Sequence, residues 1–167
     1  NQDLIREAKG IVALVKLLPS VQASVAAAVG SGSGSDTNII TISQAVDNPT
    51  NDIETYANVT LALANLAFNK KNQDAIREAN AVEPLVYLLG SCTAHVDVIR
   101  YTSKAILNLT DNHLINKYSF CEANAITHLV SILEHTKDAE TERYTSMALV
   151  NLKSDSLSTY QELILKL

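Results

Sequence analysis

The chain has 167 residues and a formal net charge of −5, and 47% of its residues are apolar although only 5% are aromatic. This excess of small aliphatic residues favours packed helices over a β-sandwich. The acidic balance excludes a generally basic surface, so we expect neither nucleic-acid binding nor attachment to an anionic membrane.

One stretch of sequence recurs along the chain. Residues 1–18 read NQDLIREAKGIVALVKLL, residues 72–89 read NQDAIREANAVEPLVYLL, and residues 116–133 read NKYSFCEANAITHLVSIL. The second and third copies lie 44 residues apart, a period typical of helical repeat arrays. The first two lie 71 residues apart, which indicates an insertion inside the first unit, over residues 19–50.

Each unit is predicted to open with a short helix that ends at a residue tolerant of a left-handed backbone. In the first unit this helix covers residues 1–8. The equivalent end positions are Lys9, Asn80 and Asn124, and Gly and Asn are the residue types that tolerate this conformation. We therefore expect Lys9 to be strained unless Gly10 adopts the left-handed conformation instead.

A second short helix and a long helix are predicted to complete each unit. The second helices are expected over residues 11–18, 82–89 and 126–133, each with a wide apolar face. The long helices are expected over residues 51–68, 95–110 and 139–152. Their candidate caps are a capping box at residues 51–54, Thr93 and Asp138. The units therefore cover residues 1–71, 72–115 and 116–155, and residues 156–167 fit the opening helix of a truncated fourth.

The inserted residues 19–50 have no single prediction. Residues 30–35 alternate Gly and Ser and are flexible by composition. A long surface loop costs little free energy because closure entropy grows only logarithmically with length. Residues 38–46 fit either a short strand or one helical turn.

The recurring stretch resembles the armadillo repeat family. NQDAIREANAVEPLV is similar to the opening two helices of that repeat, and the NL that ends each long helix is similar to the end of its third. HEAT repeats fit less well because the short opening helix recurs separately. The resemblance covers almost everything outside residues 19–50. It implies an all-α fold: a right-handed α-solenoid of about three three-helix repeats plus a truncated fourth, in a single domain.

The family also implies a function. Its third helices line a concave groove that binds extended segments of partner proteins, without catalysis and without a cofactor. We therefore expect a protein partner for this chain. An alternative is a structural spacer or scaffold within a large cytoskeletal or ciliary assembly, where the groove is incidental.

One polar residue recurs on the long helices. Their ends read TLALANL, SKAILNL and SMALVNL, which align Asn65, Asn108 and Asn151 at a spacing of 43. Asn is roughly 0.6 kcal/mol less favourable than Ala in a helix, so its recurrence indicates a role. An exposed Asn amide can donate to and accept from a peptide group at once, which predicts a ladder that holds a partner's main chain. Alternatively, each Asn satisfies a neighbouring helix end or faces water.

Other groove residues are predicted by their helical spacing from these asparagines. Four positions before each asparagine the chain has no aromatic residue. Carriers of nuclear localisation signals such as importin-α have Trp at that position, so we do not expect this chain to bind basic import signals. The sequence instead predicts a basic strip that resembles the catenin type of groove, which takes acidic segments. An ordinary solvated face is the alternative, and the tyrosines fit packing between units equally well. The residues concerned are Leu61, Lys104 and Met147 at four positions, Asn58, Tyr101 and Tyr144 at seven, and Arg100 and Arg143 at eight.

A further hypothesis concerns regulation. Residues 38–51 are hypothesised to occupy the groove as an internal ligand, because Asp36 and Asp47 offer carboxylates to the basic strip.

No catalytic or metal-binding pattern is found. The four histidines have no ligand spacing to the two cysteines, Cys92 and Cys121, and the cysteines fit no disulfide framework. We therefore expect no enzyme activity and no metal. The thiols and the absence of a secretory signal or an apolar membrane run favour a cytoplasmic, nuclear or cytoskeletal location.

The chain begins inside a repeat, so we expect it to be part of a longer array. Terminal repeats normally carry a polar cap, whereas Leu4, Ile5, Leu163 and Ile164 lie at the ends here. We therefore expect either self-association through these ends or marginal stability of the isolated fragment.

Overall fold

A computed structural model describes residues 9–19, 49–93 and 95–153, with the backbone alone for residues 49–52. Within these ranges the chain contains helices and no strands, which confirms the all-α prediction. The predictions for residues 1–8, for the body of the insertion and for residues 156–167 lie outside the described residues. The helices are α1 (Gly10–Val15), α2 (Pro49–Ala67), α3 (Lys70–Glu78), α4 (Val82–Ser91), α5 (Val96–Thr110), α6 (Leu114–Glu122), α7 (Ala125–His135) and α8 (Ala139–Lys153).

The predicted order of two short helices and one long helix is present in α3–α5 and again in α6–α8. The observed bounds differ from the predicted ones by at most two residues in α4, α5, α7 and α8. Helix α1 is shorter than predicted because it ends in tighter turns, in which Leu17 and Leu18 donate backbone bonds to Leu14 and Val15. None of the helices in the described ranges is long and apolar enough to cross a membrane.

Two of the three predicted helix caps are wrong. Asp138 does cap α8, where its Oδ2 accepts the backbone N–H of Thr141 at 2.8 Å. Thr93 does not cap α5, because α5 begins after His95. The capping box at residues 51–54 lies inside α2, which begins at Pro49. Proline suits this place because its fixed φ fits the first turn, where no intrahelical N–H bond is lost.

The predicted left-handed residues are confirmed. The φ angles of Lys9, Asn80 and Asn124 are 57°, 63° and 65°. Gly10 does not relieve Lys9, because it is already the first residue of α1. A lysine therefore occupies a conformation that its Cβ disfavours.

Replacing Lys9 with glycine should stabilise the fold. Lys9→Gly removes the Cβ strain, which outweighs the greater flexibility of glycine in the unfolded chain, so we expect the free energy of unfolding to rise by about 0.5–1 kcal/mol. Urea denaturation measures this change. Lys16→Gly, just after α1, is the control and should destabilise; a loss of stability in both variants would show that Lys9 is not strained.

The long helices α2, α5 and α8 form the centre of the fold. Helix α5 packs along both α2 and α8, and the shorter helices pack around them. The core is aliphatic, with one phenylalanine. Its largest fully buried apolar side chains are Leu63, Ile76, Leu85, Leu88, Leu89, Val98, Ile106, Leu109, Phe120, Leu129 and Leu152.

Buried amides join the ends of α2 and α5 to the short helices that follow them. Asn72 and Asn116, both 0% exposed, donate to the carbonyls of Leu66 at 3.0 Å and Leu109 at 2.9 Å. The last carbonyls of a helix have no α-helical partner inside it, and Asn116 supplies a donor to such a carbonyl at the end of α5. Asn72 adds a second bond to the carbonyl of Leu66, which also accepts from the backbone N–H of Asn69. This contact gives a physical reason for the asparagine that opens the recurring sequence stretch.

Truncation of a buried amide should cost more stability than truncation of an exposed one. In Asn116→Ala the carbonyl of Leu109 loses its partner, so we expect a loss of about 1–3 kcal/mol in the free energy of unfolding. Urea denaturation at pH 7 would measure it. The control is Asn58→Ala on the exposed side of α2. Equal effects in the two variants would contradict the capping role.

Candidate functional site

The three asparagines of the long helices lie at the same level on adjacent helices. Asn108 Nδ2 donates to the carbonyl of Ala64 at 2.8 Å, and Asn151 Nδ2 donates to the carbonyl of Leu107 at 3.2 Å. Each acceptor directly precedes the asparagine of the preceding long helix. The structure therefore brings Asn65, Asn108 and Asn151 together as the sequence spacing predicts.

These bonds also give the asparagines a role in the scaffold. One N–H of Asn108 and one of Asn151 satisfy a neighbouring helix end, which is one of the alternatives weighed from the sequence. An amide has two N–H donors and an oxygen that accepts. In the described ranges the side chain of Asn108 makes only the bond to Ala64. Its oxygen and second N–H therefore remain for another molecule.

Lys104 and Arg143 form a cationic pair around one tyrosine ring. Lys104 Nζ lies 5.9 Å from the centre of the Tyr144 ring, and Arg143 Cζ lies 4.5 Å from it. Lys104 Nζ is also 3.5 Å from Asn65 Oδ1. Cations within about 6 Å of an aromatic face are attracted to it. Tyr144 therefore holds both charges on the same surface as the asparagines.

Neither cation is neutralised by the part of the chain that the structure describes. No carboxylate oxygen there lies within 4.0 Å of Lys104 Nζ or of the Arg143 guanidinium. The predicted basic strip thus contains two charges that an external group can meet.

Arg100, the third predicted member of this strip, is already paired. It donates to both oxygens of Asp138, at 3.0 and 2.8 Å, and to Asp97 at 2.9 Å. Glu140 lies 3.7 Å away. The hydrogen bond with Asp138 raises the pKa of Arg100, and the same bond lowers the pKa of Asp138. Three carboxylates therefore already surround Arg100, which argues against its selecting a ligand by charge; that role stays a prediction.

The remaining predicted residues lie on the same three helices with differing exposure. Met147 is 46% exposed. Asn58 is exposed, and Leu61, Tyr101 and Tyr144 are half-buried. Sequence reasoning missed two exposed apolar side chains, Phe68 at 81% and Val150 at 67%. Phe68 lies directly after α2 and is followed by three polar residues, Asn69, Lys70 and Lys71, and this polar context could have indicated its exposure.

A separate open cavity of about 920 Å³ lies between α4, α5, α7 and α8. His128, His135 and Asp138 are among its lining residues. A Cβ on Gly90 would lie 2.8 Å from Cε1 of His128, so this histidine packs against the helix backbone. Among the described residues there is no group of three His, Cys, Asp or Glu side chains that could hold a metal ion.

Comparison with known proteins gives one informative result. No protein-family model matches the chain, and no curated protein matches it. The chain is similar to the crystal structure of an engineered protein, with 26% sequence identity and a TM-score of 0.54 over 92% of this chain. The match spans 66% of the engineered chain, just under two thirds of its length. This likeness supports the helical fold; the name of the engineered protein mentions no ligand.

The lowered pKa of Asp138 predicts a pH dependence of stability. A carboxyl group with a depressed pKa contributes its full stability above the pKa of the unfolded chain, about 3.9, and loses it as the pH falls towards the folded pKa. Asp138→Asn keeps a capping side chain but removes the charge. We therefore expect a stability difference between the native chain and this variant that is constant from about pH 7 to pH 5 and shrinks below about pH 4.

Chemical denaturation over this pH range tests the prediction. Asp97→Asn is the matched control, since Asp97 is a more exposed partner of the same arginine, and its difference should be smaller throughout. A difference for Asp138→Asn that persists undiminished to pH 2 would mean that its charge does not stabilise the fold.

Proposed function

We propose that the chain is a non-catalytic protein-interaction module of the armadillo type. In this proposal it is an α-solenoid whose long helices α2, α5 and α8 line a groove, and the groove binds an extended segment of a partner protein. The observation that carries the proposal is the pair of bonds from Asn108 to Ala64 and from Asn151 to Leu107. They hold equivalent residues of successive long helices side by side, as a repeated binding surface requires.

The repeat assignment has independent support. Two short helices and one long helix occur twice in the same order, and Asn72 and Asn116, 44 residues apart, make equivalent buried contacts. Asn80 and Asn124, also 44 apart, share a left-handed backbone. Equivalent local chemistry at equivalent positions is what a repeated sequence unit produces.

The asparagines would hold the main chain of the ligand. The oxygen and second N–H of Asn108 suit one peptide group, and such a bond contributes about 0.5–1.5 kcal/mol. Ordering the ligand opposes this gain. A few such bonds give micromolar affinity at best, so side-chain contacts must supply the selectivity.

The charge of the site favours an acidic segment. Lys104 and Arg143 would pair with the carboxylates of this segment, whereas Arg100 stays paired with three carboxylates of the chain itself. We also propose a reducing compartment such as the cytoplasm, where the two free cysteines, Cys92 and Cys121, would persist as thiols.

A structural spacer is the second candidate. The bonds of Asn108 and Asn151 and the contact between Arg100 and Asp138 tie successive long helices to each other, and such ties suit a stiff rod. Crosslinking of the native assembly separates the two functions. Partners crosslinked only to exposed residues outside the long helices, such as Val130 on α7, would favour the spacer.

Binding of unstructured peptides tests the proposed groove. An unbiased array of extended peptides, followed by NMR titration of the best binders, should perturb the side-chain amide signals of Asn108 and Asn151. Asn108→Ala should weaken the binding of these peptides by about 1 kcal/mol, and it should also lower stability because the bond from α5 to the carbonyl of Ala64 is lost.

The control separates the two effects. Asn116→Ala should lose stability yet keep its peptide affinity when both variants are measured well below their melting temperatures. Peptide-induced shifts confined to α4 and α7, or no peptide binding at all, would contradict the proposed function.

A further inference from the structure

Three side chains form a row across the long helices, four residues before the asparagines. They are Leu61 on α2, Lys104 on α5 and Met147 on α8. The bonds of Asn108 and Asn151 to the preceding helices keep these positions level. A third contact, at 3.1 Å between the hydroxyls of Ser103 and Thr145, joins α5 to α8 near the row. The row therefore presents apolar, basic and apolar chemistry in order.

The cation of this row lies between its two neighbours. Lys104 Nζ reaches Asn65 of α2 on one side and the Tyr144 ring of α8 on the other. Arg143 adds a second positive charge against the same ring. Three nearby acidic groups, Asp97, Asp138 and Glu140, are paired with Arg100. A carboxylate placed over Lys104 would thus meet two cations that the described residues leave without a counterion.

The flanks of the row disfavour a charged ligand side chain. Met147 is 46% exposed, and Leu61 is half-buried. Neither can pair with a charge, and the flexible thioether of Met adapts its shape to varied apolar partners. Apolar side chains of a ligand would cover both.

The spacing of the row sets the spacing in the ligand. Packed helices lie about 8–10 Å apart, and an extended chain rises about 3.3 Å per residue with alternate side chains on opposite faces. Ligand residues two apart, about 6.6 Å along the chain, face the same side, and long side chains can span the remaining distance. Residues three apart face opposite sides.

From these observations we propose that the groove selects an extended segment with an acidic residue flanked by apolar residues two positions away on each side. Leu61 and Met147 bind the apolar side chains, and Lys104 with Arg143 binds the carboxylate. This inference rests on the proposed function, since it specifies which segment the same groove takes.

Fluorescence anisotropy with labelled peptides tests it on the whole 167-residue chain. The probe has the core Leu-Ser-Glu-Ser-Leu in Gly-Ser flanks. Matched probes carry Gln or Lys in place of Glu, or an additional Ser on each side of Glu. We expect the Glu core to bind roughly three- to fivefold more tightly than the Gln core, the range for a partly exposed ion pair. The Lys core and the lengthened core should be weaker than the Glu core.

A charge exchange provides the second measurement. Lys104→Glu should reverse the preference towards the Lys core, and Lys104→Gln should reduce the difference between the Glu and Gln cores. Lys153→Glu, at the exposed end of α8, is the matched control and should leave the preference unchanged. Circular dichroism of each variant establishes that it is folded.

The possible outcomes distinguish a failure of this inference from a failure of the proposed function. Equal affinity for the Glu, Gln and Lys cores, while array-selected peptides still bind the long helices, would overturn the inference and leave the proposed function standing. Tighter binding of the lengthened core would overturn the spacing and with it the inference. Failure of every extended peptide, in the unbiased array as well, would overturn both.

Discussion

The unpaired carbonyls at the ends of the long helices determine how the rest of the structure is arranged. A helix leaves its last carbonyls without an internal partner, and burial of such a group unpaired costs about 1–3 kcal/mol. Asn116 supplies the missing donor at the end of α5 from the helix that follows, and Asn72 adds a second donor to Leu66, whose carbonyl also accepts from the backbone of Asn69. Gln73 adds bonds to Ala67 and to the carbonyl of Asn108 in the next long helix. The next helix is therefore fixed in position by the polar groups of the previous one, and apolar packing alone would not fix it so closely.

That constraint is also what produces rows of equivalent side chains. Because α2, α5 and α8 are held level, Asn108 and Asn151 each reach the carbonyl before the preceding asparagine. The side chain of Asn108 then serves the scaffold with one N–H and leaves the rest of its amide for another molecule. A structural role and a binding role are thus compatible at Asn108, although the sequence suggests them as alternatives.

The sequence could predict what depends on local spacing, and it failed where a contact crosses between helices. Repetition and apolar periodicity predict the helices, and residue type predicts the left-handed backbone at Asn80 and Asn124. Helical spacing places Arg100 beside Lys104 on one face. It cannot show that Asp138, 38 residues later, binds Arg100, because that contact exists only once α8 packs against α5.

The pairing of Arg100 changes where the positive charge of this surface resides. This pairing joins α5 to the start of α8. Lys104 and Arg143 are then the cations of the strip that have no carboxylate partner among the described residues. The chain as a whole is acidic, with a net charge of −5, yet this does not prevent a local preference for acids. Salt screens exposed charges beyond about 8 Å at physiological ionic strength, so a ligand carboxylate responds mainly to its nearest neighbours. In the proposed groove, the two cations beside Tyr144, which the described residues leave without a counterion, would therefore outweigh distant carboxylates in the choice of ligand.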